Sequence, residues 1–200
     1  MRRSRIPPDG LHHAPSSQAA CSDENTVGVR IQGGADPGIS RPRVARVGRA
    51  MLRALQLERS ELSILLTDDD QIQRLNKLYR NIDRPTDVLS FSQRQGDFPD
   101  PPNQPLGDVV ISVPTARRQA TDRGLEVAAE VTRLLAHGLL HLVGWDHDTP
   151  AKDHRMRRET DRLCALAETN TKGAQGAHVN RQSARAANGQ SRRRTRKGEN

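Results

Sequence analysis

The sequence predicts an α+β fold, a small mixed β-sheet of about four strands covered by helices, and three patterns predict it. Short apolar runs of strand character are interspersed with longer segments of helical periodicity. Two strand segments flank a proline-rich stretch in the manner of a hairpin-like pair. A long segment in the second half is apolar on more than one face, as a helix packed into the core must be.

Each element has a local reason. From 43 to 57, Val47, Met51, Leu52 and Leu55 recur at helical spacing. The run Leu62-Ser63-Ile64-Leu65-Leu66 is short, apolar and β-compatible, a buried strand. Thr67 and Asp68 supply an N-cap for a second helix, on which Ile72, Leu75 and Leu78 line one face. Residues 88–91 and 108–113 read as two further strands, and the stretch 93–105 between them, with four prolines, can only be loop. A third helix spans 114–122. The multiply apolar helix spans 125–143, with Val127, Val131, Leu134, Leu135 and Leu142 to bury. Thr149-Pro150 opens a last helix that runs through Leu163 and Leu166, with Pro at its first position.

The run His137-Gly138-Leu139-Leu140-His141-Leu142-Val143-Gly144-Trp145-Asp146-His147 carries the chemistry. Histidines four apart on a helix stand one above the other on one face and can aim at one ion. Gly144 lets the backbone leave the helix through a left-handed conformation and turn His147 back toward the same point. Three imidazoles with a fourth position open to water are the donor set of a catalytic zinc site. The remaining histidines, His12, His13, His154 and His178, fall outside the spacing and read as solvated.

This spacing also occurs in metzincin peptidases, which carry a Glu directly after the first His as general base. Gly138 stands there in this chain, so a zinc metallopeptidase is the weaker reading. Asp146 either accepts a hydrogen bond from a ligating imidazole or caps the turn before the last helix. Asp108 is ambiguous in the same way, and Cys164, on an apolar helical stretch, reads as buried and inert.

Upstream, Tyr79-Arg80 is followed by Arg84-Pro85-Thr86-Asp87-Val88-Leu89-Ser90-Phe91, and then by Leu106-Gly107-Asp108. Together with the histidine motif, these segments resemble the YbeY family of bacterial endoribonucleases, the rRNA maturation factors. The resemblance spans roughly 45–168, and more weakly a strand-like stretch at 26–32. Two positions depart from the family pattern: Trp145 stands where Tyr is usual, and Ser92 where Pro is common. The resemblance implies a zincin-like ligand helix, one Zn(2+) held by His137, His141 and His147, and Arg80 facing the metal as the catalytic and substrate-binding arginine. It also implies single-stranded RNA as substrate, maturation of the 16S rRNA 3′ end, a part in ribosome quality control, and partners on the small ribosomal subunit and among its assembly factors. A guanidinium can hold a phosphate bidentately and offset charge in the transition state. No residue is identified as general base.

The chain divides into an N-terminal extension at 1–24, expected to be disordered, a catalytic domain at 25–170, and a basic tail at 171–200. Of the net charge of +8, the tail supplies +7, from eight Lys or Arg and one Glu. The central 126 residues, 45–170, hold eighteen basic and nineteen acidic residues, so the domain itself is nearly neutral. Arg192-Arg193-Arg194-Thr195-Arg196-Lys197 could add salt-sensitive phosphate contacts. No apolar segment follows Arg2, Arg3 and Arg5, which argues against a secretory leader. No run reaches membrane-span length, and the two cysteines have no framework to join, so the expectation is a cytoplasmic protein without a membrane partner. Tyr79, Phe91 and Trp145 lie within the motif segments and are expected to pack near the site. RNA would then be read by backbone and shape and not by stacking. A third reading is a non-catalytic ribosome-assembly factor that the metal only stabilises.

Overall fold

The computed structural model describes residues 25–33, 36–94 and 105–169; the expectations for 1–24, for 171–200 and for most of the proline-rich loop lie outside them. Four strands, β1 (Thr26–Ile31), β2 (Glu61–Thr67), β3 (Val88–Ser92) and β4 (Pro105–Ser112), form one sheet in the order β1-β2-β4-β3. β1 and β4 run parallel to β2, whereas β3 pairs antiparallel with β4, so the sheet is mixed. The helices are α1 (Arg41–Ala54), α2 (Asp69–Arg80), α3 (Val113–Asp122), α4 (Val127–Leu142) and α5 (150–169). The α+β class expected from the sequence is the one observed.

Strand alternation divides the core between the two faces of the sheet. Leu62, Ile64 and Leu66 of β2 and Val109 and Ile111 of β4 point to one face. There they pack with Met51 and Leu52 of α1, Leu134, Leu135 and Leu139 of α4, and Met156 and Leu163 of α5. Burying each such side chain stabilises the fold by roughly 1.5–3 kcal/mol. On the other face a smaller cluster of Ile72, Leu89 and Val110 seats α2. α4 is buried over most of its circumference, as its composition predicts.

Two details differ from the sequence reading. Leu78 is 73% exposed, because the inner line of α2 runs through Ile72 and Asn76. The buried Asn76 amide donates to the carbonyl of Arg84 at 2.8 Å. β4 begins at Pro105, inside the expected loop, where Pro105 tolerates the first position of a strand and β2 and β3 provide partners on either side. Gly107 there has φ +142°, and a Cβ would collide with the carbonyl oxygen of Phe91 on β3, so this close approach requires glycine. α3 is capped by Ser112, whose hydroxyl accepts from the N–H of Thr115 at 3.2 Å.

α4 crosses beside the edge strand β3 at van der Waals distance. Ser90 Oγ donates to the carbonyl of Gly138 at 3.0 Å, and Ser92 Oγ to that of Leu142 at 3.4 Å. A Cβ on Gly138 would meet Val109 Cγ1 at 2.8 Å, Ser90 Oγ at 3.0 Å and Val88 Cγ2 at 3.2 Å. The absence of a side chain is therefore what lets the ligand helix lie against the sheet.

Candidate metal centre

His137 and His141 project from the last turns of α4, both half-buried. The helix stops at Val143, and Gly144 adopts φ +84°, the left-handed conformation that reverses the chain. The N–H of Trp145 donates to Leu140 O at 3.0 Å and that of Gly144 to His141 O, which closes the turn. His147 then comes back over the other two. One ligand atom from each of His137, His141 and His147 lies within 4.8 Å of the others. His137 Nε2 and His141 Nε2 are 3.3 Å apart. Two imidazole nitrogens on one tetrahedral zinc, at ~2.0–2.1 Å from the ion, stand about 3.3 Å apart, so this pair already has a ligand spacing.

The orientation of His141 is set from behind by the backbone. Its Nδ1 lies 3.0 Å from the carbonyl oxygen of Trp145, so Nδ1–H donates there and Nε2 keeps a free lone pair. Since the acceptor is a main-chain group, replacing a family Tyr by Trp leaves it intact. The indole is covered by the Arg155 guanidinium, 4.6 Å above its ring. Asp146 Oδ1 accepts from the backbone N–H of His147 at 2.8 Å, so its carboxylate closes the turn that carries the third histidine.

The electrostatics favour the neutral form of His137 and His141. Burial, then the neighbouring His141 and His147, and then Arg133, lower the pKa of His137 to about 4, against a smaller opposing effect of Asp87. Burial and His147 also lower His141, with a further contribution from Arg80. A neutral imidazole is the form that binds a metal.

Arg80 is the last residue of α2, and the turn behind it is firmly built. Asn81 caps the helix in the left-handed conformation at φ 57°, its N–H donating to Lys77 O at 3.1 Å. Asp83 receives Lys77 Nζ at 2.7 Å and Gln73 Nε2 at 2.9 Å. Arg80 itself is exposed, makes no hydrogen bond or ion pair among the described residues, and is close enough for its charge to act on His141.

Several other residues are placed by the fold. His154 is exposed on α5, and His12, His13 and His178 lie outside the described residues. Asp108 sits half-buried in β4 and accepts from Gln93 Nε2 at 2.9 Å. Cys164 is half-buried, and burial, with Asp161 nearby, pushes its thiol up to about 11, far from a reactive thiolate. Tyr79 differs from expectation: it is 63% exposed, tilted on Phe91 with ring centroids 4.8 Å apart, and both line a cleft of about 700 Å³ on the α2 side of the sheet.

Sequence reasoning missed Glu130, Arg133 and Arg123. Glu130 is fully buried on α4, one turn before Arg133, which lies one turn before His137. The Glu-x-x-Arg-x-x-x-His spacing on one helix face was the available signal. Asp87 lies in the Pro85-Thr86-Asp87 segment before β3. It accepts from Val88 N–H at 2.8 Å and Gln119 Nε2 at 3.1 Å. Although its burial alone would raise its pKa, these bonds hold it below the usual carboxylate range.

Comparison with known proteins agrees with this arrangement. The family model described as Endoribonuclease YbeY matches residues 39–168. An endoribonuclease YbeY of Aquifex aeolicus is 41% identical over 125 residues, 62% of this chain and 80% of that protein. One of Heliobacterium modesticaldum is 45% identical over 115 residues, 54% of this chain and 69% of that protein. One of Myxococcus xanthus is 44% identical over 147 residues, 72% of this chain; the chain spans about half (47%) of that relative's length. A Thermotoga maritima protein solved in solution shares the fold, with a TM-score of 0.51 at 19% identity over 73% of this chain and 93% of that one. With two histidines on a buried helix, a third brought back over them by the turn that follows, and a family model that matches residues 39–168, the chain belongs to the endoribonuclease YbeY family.

Proposed function

We propose that this protein is a zinc-dependent endoribonuclease that hydrolyses phosphodiesters of single-stranded RNA. The observation that carries the reading is the convergence of His137, His141 and His147, with the Nε2 atoms of the first two at 3.3 Å; Arg80, whose charge acts on His141, has no hydrogen-bond partner among the described residues. His137, His141 and His147 would hold the ion, through Nε2 in the case of His141. A divalent ion bound there supplies Lewis acidity toward water and toward a phosphoryl oxygen. Arg80 binds the scissile phosphate and offsets its charge as the transition state forms. The turn built on Asn76, Lys77 and Asp83 anchors the backbone around Arg80 at the end of α2. Trp145, through its carbonyl, keeps His141 in the ligating tautomer.

The family membership supports a place in ribosomal RNA maturation at the 16S 3′ end and in ribosome quality control, in the cytoplasm and with partners on the small subunit. The basic tail at 171–200 supplies non-specific affinity for RNA in this reading. No described helix is long and apolar enough to cross a membrane. The peptidase alternative is disfavoured sterically as well as chemically, since the position of its glutamate is packed against Val109, Ser90 and Val88.

The test is cleavage of single-stranded RNA by zinc-loaded protein. Activity should be lost in His137→Ala and Arg80→Ala variants that retain the wild-type circular dichroism spectrum. A zinc-loaded protein inert on every RNA, whose histidine variants unfold, would point to a non-catalytic assembly factor instead.

A further inference from the structure

The cavity that His137 and His147 share continues into a wall of arginines and aspartates with no role in the chemistry above. It encloses about 630 Å³, and Arg123, Arg133, Arg157, Asp153 and Asp161 line it together with the two histidines. Behind the wall lies Glu130, whose side chain is 0% exposed. A buried carboxylate is costly unless paired, and this one is paired twice. Arg123 Nη1 donates to its two oxygens at 2.7 and 2.8 Å, and Arg133 donates to Oε1 from Nε at 2.9 Å and from Nη2 at 2.6 Å. One carboxylate thus holds two guanidiniums together with one positive charge in excess.

Neither guanidinium is used up. Nε and Nη2 of Arg123 and Nη1 of Arg133 have no partner among the described residues, and the two side chains are 44% and 29% exposed. Arg157, in contrast, is neutralised by Asp153 at 2.7 Å. Arginines immobilised by a buried acid, with N–H groups left facing a cavity, are preorganised for an oxyanion with several acceptors, because little rotamer entropy remains to be lost. The charge of Arg133 acts on His137, whereas that of Arg80 acts on His141, so the two basic groups reach the cluster through different members. A polynucleotide with one phosphate at the cluster presents the next phosphate one nucleotide away.

We propose that Arg123 and Arg133, held by Glu130, form a second phosphate subsite that takes the phosphate adjacent to the scissile one on a single-stranded RNA. The identity of the polymer rests on the endoribonuclease reading; the anion site rests on the arginines alone.

The decisive variant is Arg123→Gln, whose amide can still donate to Glu130 while Arg133 keeps the ion pair. Its KM for single-stranded RNA should rise about tenfold with kcat little changed. The slope of log affinity against log salt should become shallower by about 0.7, the loss of one phosphate contact on a single strand. The double variant Arg157→Gln, Asp153→Asn, which removes a neutral pair from the same cavity, should leave both unchanged. A folded Arg123→Gln protein with wild-type KM and salt slope overturns the proposal. Should that variant not fold, Arg133→Lys keeps a cation for Glu130 but lacks the fork; an unchanged KM there has the same force.

A second measurement separates this proposal from the nuclease reading: the Nε–Hε NMR signals of Arg123 and Arg133, titrated with a short single-stranded RNA and with inorganic phosphate. Shifts with the RNA while wild-type protein cleaves nothing would keep the subsite and reject the nuclease. Shifts with neither, or with inorganic phosphate alone, would reject the subsite whatever the activity.

Discussion

Nε2 of His137 and Nε2 of His141 stand 3.3 Å apart, at the spacing of two imidazoles on one tetrahedral ion. The buried face of α4 and the Trp145 carbonyl hold the pair.

One consequence concerns stoichiometry. Purified protein should retain about one equivalent of zinc after dialysis, with His141→Ala retaining almost none and His154→Ala as much as wild type. Chelation should lower the melting temperature of wild type, since a ligand bound only by the native state stabilises it by mass action. Equal zinc content in the two variants would remove the three-histidine assignment. Elemental analysis and a thermal melt suffice.

Gly138 provides a second prediction. Alanine is intrinsically better than glycine in a helix interior by about 1 kcal/mol. Here its Cβ would press on Val109 Cγ1 at 2.8 Å and on Ser90 Oγ at 3.0 Å. Overpacking of this kind costs roughly 1–3 kcal/mol, so Gly138→Ala should be net destabilising in urea titration. Nuclease activity should fall with it, because the shift moves His137 and His141 together. A more stable Gly138→Ala protein would show that α4 can lift from β3 freely.

The histidine site also implies a pH dependence for the metal-free protein. His137 has a folded-state pKa of about 4 against an ordinary value of 6.5. The unfolded chain therefore binds more protons than the native one between those values, and stability falls as pH drops through that window. Above about pH 6.5 this group contributes no slope. The urea midpoint of metal-free protein should decrease from pH 7 to pH 5, and a His137→Gln variant should decrease less. Parallel curves for the two proteins would contradict the burial assigned to His137.

A fourth expectation lies away from the site. Asp69, in the first turn of α2, accepts from Ser112 Oγ, from Thr115 Oγ1 at 2.6 Å and from Arg118 Nη2 at 2.9 Å. Burial alone would raise its pKa, but these donors together hold it below the usual carboxylate value, so its contribution is present near neutrality and is lost as pH falls through that lowered pKa. Asp69→Ala should cost about 1–3 kcal/mol, with Ser112 and Thr115 left short of an acceptor. Because this strut joins α2 to α3, the variant should also weaken RNA cleavage through Arg80 more than zinc binding. A loss of zinc equal to the loss of cleavage would rule out that division.

Most of the fold and the central triad were legible in the chain itself, since they depend on periodicity. Helical spacing set α1 and α4, strand-like apolar runs set β2 and β3, and the four-residue interval followed by Gly144 set the histidines. Local patterns of this kind involve residues whose neighbours are known from numbering alone. What tertiary structure decided were the contacts between distant segments. β4 starts at Pro105 because β2 and β3 lie ready to pair with it, and Leu78 is outside because Asn76 reaches Arg84. Gly138 reads in sequence only as a missing glutamate, yet Val109 and Ser90 fill the space where any side chain would stand. Glu130 binds Arg123 across a helix junction, a pairing no period encodes, since burial of its charge is settled only when α3 and α4 meet. The sequence by itself determined which residues could ligate; packing determined which of their neighbours face the same cavity.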